Sequence, residues 1–160
     1  MEDLVSILKE QVTEYRALLD LAKRKQQVLI GNDIKELDKL NKEEQTIIIR
    51  ATKLENKRLG LISTLSEVLG SNVEAFTLKE ITEKALEPYQ SELNVIYQEL
   101  NEVVEELHKI NKENSSLIEQ ALKLVNFTIE SIVRYDREVV YSEKDPKGVK
   151  QLSRIFDSKA

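Results

Sequence analysis

A single histidine, no cysteine and 29 acidic side chains set the chemistry open to this chain of 160 residues. Any Ser-His-Asp triad would have to use His108, because the imidazole relays the nucleophile's proton. His108 follows Leu107 directly and is expected off the apolar stripe, in solvent. Glu105 and His108 match the Glu-x-x-His spacing of di-iron helical bundles. That architecture needs two such motifs and two further carboxylates, and no second histidine exists. The ferritin-like reading fails on that count. Without cysteine there are no thiolate metal ligands and no structural disulfides. Glu43-Glu44 and Glu105-Glu106 are adjacent acids, and adjacent positions on a helix do not face each other. Neither common glycine-rich phosphate loop occurs. The expectation is a protein with no catalytic residues, no metal and no cofactor, and not an enzyme.

The net charge of −5 is modest and interspersed, which favours solubility and argues against nucleic acid as a partner. Lys23-Arg24-Lys25 is the one compact basic run. A solvated helix face accounts for it better than a phosphate-binding patch. Met1 leads into Glu2-Asp3 rather than a basic segment with an apolar core, so no secretory signal is read. No apolar run approaches the roughly 18 residues that span a bilayer. A cytoplasmic protein with no direct membrane insertion is expected.

The elements that must position these residues are helical. Leu93, Leu100, Leu107, Asn114, Ala121, Thr128 and Tyr135 recur every seven residues, with adjacent pairs such as Ile96-Tyr97, Val103-Val104 and Leu124-Val125 between them. In heptad letters these are positions a, d and e, a broad apolar stripe. From Pro88 to about Tyr135 such a helix is roughly 70 Å long, and its stripe needs partners. Val5, Leu8, Val12, Tyr15, Leu19, Ala22, Gln26 and Leu29 mark a first upstream helix ending at Gly31, a residue suited to a left-handed cap. Asn32 or Asp33 can cap a second helix, running from Ile34 to Leu69. The short connection makes the two antiparallel neighbours. Glu44 and Arg58 occupy stripe positions in the second helix, to pair across the bundle or snorkel at its edge.

Gly70-Ser71-Asn72 is the stop signal, after which Thr77 and Glu80 have capping-box spacing for a short helix over Leu78, Ile81, Ala85 and Leu86. Glu87 precedes Pro88, so a break belongs there. The fold class is therefore all-α: an elongated antiparallel bundle of three long helices plus one short helix. Residues 1–136 form the bundle and 137–160 a flexible tail with a short amphipathic segment. In that tail Val149, Leu152, Ile155 and Phe156 share one helical face. Eight to ten residues are too few to be helical alone, so the segment either folds on a partner or docks on its own bundle. Within the stripe, Asn114 and Thr128 are suited to fixing register at some cost in stability. Asn111 and Asn114 could also serve a partner helix.

The order and spacing of several motifs resemble a family. Asp20-Leu21-Ala22-Lys23-Arg24-Lys25 followed by Gly31-Asn32-Asp33-Ile34-Lys35-Glu36-Leu37 is similar to the first hairpin of FlgN-type flagellar export chaperones. Leu69-Gly70 with Thr77-Leu78-Lys79-Glu80-Ile81 resembles the central segment, and a long helix ending in Tyr141, with Gly148 beyond, the C-terminal end. The chain departs in placing Ser142 to Lys147 between Tyr141 and Gly148. The resemblance implies a cytoplasmic chaperone that binds the helical C-terminal segments of hook-filament junction proteins, prevents premature assembly, and delivers them to the export gate of the flagellar type III apparatus. It implies client binding by Val149, Leu152, Ile155 and Phe156, and gate docking by Tyr141, with Tyr135 as the substitute. The alternative is a coiled-coil structural or adaptor protein that self-associates through its heptad stripe; a homodimer is compatible with either.

Overall fold

The structure is a computed structural model that describes residues 1–68 and 77–143, with side chains over 1–64 and 77–135. Among the described residues there are four helices and no strand: α1 (Glu2–Ile30), α2 (Ile34–Val68), α3 (Leu78–Lys84) and α4 (Tyr89–Glu143). The all-α class expected from the heptad pattern is thus the observed one. The chain divides into two units, residues 1–117 and 118–160.

In the first unit α1 and α2 form the expected hairpin. The residue with left-handed backbone at the turn is Asn32, at φ 54°, not Gly31, which sits at φ −76° and ψ −6°. The Asp33 N–H donates to the Val28 carbonyl at 3.2 Å and the Asn32 N–H to that of Leu29 at 3.3 Å. These are the two bonds of a Schellman cap, placed one residue later than Gly31 would place them. An asparagine tolerates that conformation better than most residues. Asp33 then caps α2, its Oδ1 accepting from the Glu36 N–H at 3.0 Å.

Partners along the two helices run in opposite directions, Glu14 with Arg50 and Lys25 with Glu44, so α2 is antiparallel to α1. Helix α4 runs parallel to α1. Lys9–Glu92, Arg16–Glu99 and Lys23–Glu106 share one offset of 83 residues. The acids occupy successive positions preceding the a residues of α4, so the heptad carries an ion-pair ladder beside its apolar seam. Lys23-Arg24-Lys25 is spent on this clamp: Lys23 reaches Glu106, Arg24 reaches Glu43 and Lys25 reaches Glu44.

Two clusters fill the core. Leu4, Leu8 and Val12 of α1 meet Ile62 of α2, Ile81 of α3 and Leu93 and Ile96 of α4. Further along, Leu18 and Leu21 meet Leu40 and Ile47, with Leu107 packed against them. Each fully buried leucine contributes about 1.5–3 kcal/mol. The capping box of α3 is present, with Thr77 Oγ1 accepting from the Glu80 N–H and Glu80 accepting from the Thr77 N–H. This helix is shorter than its apolar face: it ends at Lys84, and Leu86 is exposed. Pro88 sits just before α4, its carbonyl accepting from the Glu92 N–H at 3.4 Å, so the break at Glu87-Pro88 is where the sequence put it. The stop signal Gly70-Ser71-Asn72 lies outside the described residues.

In the second unit α4 is helical through Glu143. The flexible connection expected from Asp136 is corrected for that span. Charge alone does not end a helix, Glu and Arg are good helix formers, and no Gly or Pro occurs before Pro146.

Candidate interaction surface

Through Leu117 the a and d positions of α4 are buried or half-buried: Leu93, Ile96, Leu100, Val103, Leu107, Ile110, Asn114 and Leu117. Asn114 is 4% exposed. Its Nδ2 donates to the Ala22 carbonyl of α1 at 2.9 Å, while its Oδ1 is buried with no partner. This supports the register role, whereas Asn111 is exposed. His108 and Glu105 lie in solvent, and among the described residues no group of three or more His, Asp or Glu is placed to hold a metal.

From Ile118 to Tyr135 every side chain is exposed. The large apolar ones are Ile118, Leu122, Leu124, Val125, Phe127, Ile129, Ile132, Val133 and Tyr135. The charged ones are Glu119, Lys123, Glu130 and Arg134. At 3.6 residues per turn these four fall within an arc of about 60°, and Glu119 and Lys123 are paired along the helix at 2.7 Å. The charges are thus confined to one narrow stripe, and the large apolar side chains occupy much of the rest of the surface alongside Gln120, Asn126, Thr128 and Ser131. The sequence reading placed this segment inside the bundle stripe. Its a and d positions here are Ala121, Leu124, Thr128, Ser131 and Tyr135, a poor seam, and that weakness was the available signal.

Among the described residues of the first unit, an open cleft of about 490 Å³ is lined by Leu8, Gln11, Tyr15, Arg58, Tyr97 and Val104 among others. Three of its polar groups, Gln11, Glu55 and Arg58, hold one another. Gln11, 2% exposed, donates to Glu55 at 2.9 Å, and Arg58 grips the same carboxylate with two bonds at 2.8 and 2.6 Å. The Arg58 guanidinium holds the Glu55 carboxyl below its ordinary range against the effect of burial, with Gln11 helping. Of the two charges in the stripe of α2, Arg58 therefore pairs along its own helix and Glu44 pairs across the bundle with Lys25 at 2.9 Å.

The residues predicted to bind partners fall beyond or at the edge of this description. Tyr135 is 68% exposed. Tyr141 lies on α4, its side chain outside the described residues. Val149, Leu152, Ile155 and Phe156 all lie outside the described residues.

Comparison with protein families matches residues 1–145 to the family described as FlgN protein. The chain belongs to the FlgN family. FlgN proteins are flagellar export chaperones, a family of chaperones rather than of enzymes. No curated protein and no solved structure matches the chain. The FlgN match includes Tyr135 and Tyr141 and stops before Val149. Among the described residues no helix is long and apolar enough to cross a membrane.

Proposed function

We propose that this FlgN protein is a cytoplasmic chaperone that binds the C-terminal helical segments of hook-filament junction proteins, keeps them from assembling early and hands them to the export gate. The observation that carries the reading is the family match over residues 1–145. The exposed apolar length of α4 from Ile118 to Tyr135 supports it, since a covering partner is what such a surface needs. In this proposal residues 1–136 are the body and 137–160, which include the end of α4, the binding tail. Val149, Leu152, Ile155 and Phe156 supply the client-facing apolar side chains, in helix-in-groove packing that needs no nucleotide. Tyr141 docks at the gate, with Tyr135 as the second choice. A scaffold that self-associates through the a/d stripe is disfavoured, because that stripe is covered within the chain as far as Leu117.

The test is size-exclusion chromatography with light scattering, on the chain alone and mixed with each junction protein. A defined complex, lost on deleting residues 149–160 while the melting transition is kept, is the expected result. Unchanged client binding after that deletion would remove the tail from the site.

A further inference from the structure

We draw no further inference here: the strongest candidate, the open cleft of the first unit lined by Tyr15, Arg58, Tyr97 and Val104, carries nothing, because Gln11, Glu55 and Arg58 hold one another there and nothing in the structure shows what covers it.

Discussion

The two stretches of α4 on either side of Leu117 are built from the same residue types and meet opposite fates. Before it, Leu93, Ile96, Val103 and Asn114 are buried against other helices of the chain, and Glu92, Glu99 and Glu106 tie the helix to α1. After it, Leu122, Leu124, Val125 and Phe127 are all more than half exposed. The difference teaches that an apolar stripe announces a partner without saying whose chain supplies it. What separates the stretches is the accessory chemistry. The first has bases waiting opposite its acids on α1; the second pairs Glu119 with Lys123 on its own surface.

The largest test of that contrast is a pair of truncations. Leu93→Ala, at a fully buried site, should cost about 2–5 kcal/mol in urea unfolding. Leu124→Ala, at an exposed one, should change stability by no more than about 0.5 kcal/mol. Equal losses would mean that the second stretch is covered in solution. Next, Asn114→Leu removes a buried amide whose Oδ1 lacks a partner. It should leave stability unchanged or raise it by up to about 1 kcal/mol, since it removes the unsatisfied Oδ1 but also the one bond to the Ala22 carbonyl. A loss instead would assign Asn114 a stronger network than its one bond to Ala22.

Gly60 lies in the first unit with nothing within 4 Å of where a Cβ would stand, and α2 continues through it. Gly60→Ala should therefore gain about 0.5–1 kcal/mol by thermal or urea melting. The smallest effect concerns pH. The Glu55 carboxyl is held below its ordinary value of 4.5 by Arg58. The folded state then binds its proton less readily than the unfolded one, so this contribution is present above about pH 4.5 and fades as pH falls through the lowered value. Urea midpoints measured from pH 6 down to 3 should fall, and Glu55→Gln should make the fall shallower.

Much of the first unit was legible because its signals are local or periodic. Thr77 and Glu80 announce a capping box by spacing alone, and the heptads of α4 up to Leu117 coincide with its buried positions. The turn was legible in place but not in detail, because Gly31 and Asn32 compete for one left-handed position and only the register of the Schellman bonds decides between them. Gln11 and Leu21, both buried, were missed. Both widen the apolar face of α1, which faces two long helices at once. The segment 118–135 was misplaced for a related reason. A broad a/d/e stripe still finds apolar residues at its e positions, so Ile118, Val125 and Ile132 passed for a continuation. Tail residues such as Ile155 and Phe156 carry a face too short for periodicity to say what they pack against.

The ladder from Lys9–Glu92 to Lys23–Glu106 has a consequence for alignment. A strictly seven-residue pattern looks the same after a shift of one heptad, about 10 Å along the axis, and such a slip would forfeit only the end rung and one layer of leucines. Asn114 is the mark that lifts this translational degeneracy. Moved by one heptad, its amide would face a different stretch of α1 and leave behind the Ala22 carbonyl it now holds at 2.9 Å, while Leu107 would arrive at a layer shaped for an asparagine. A repeating rack of interchangeable teeth thereby acquires a single home position.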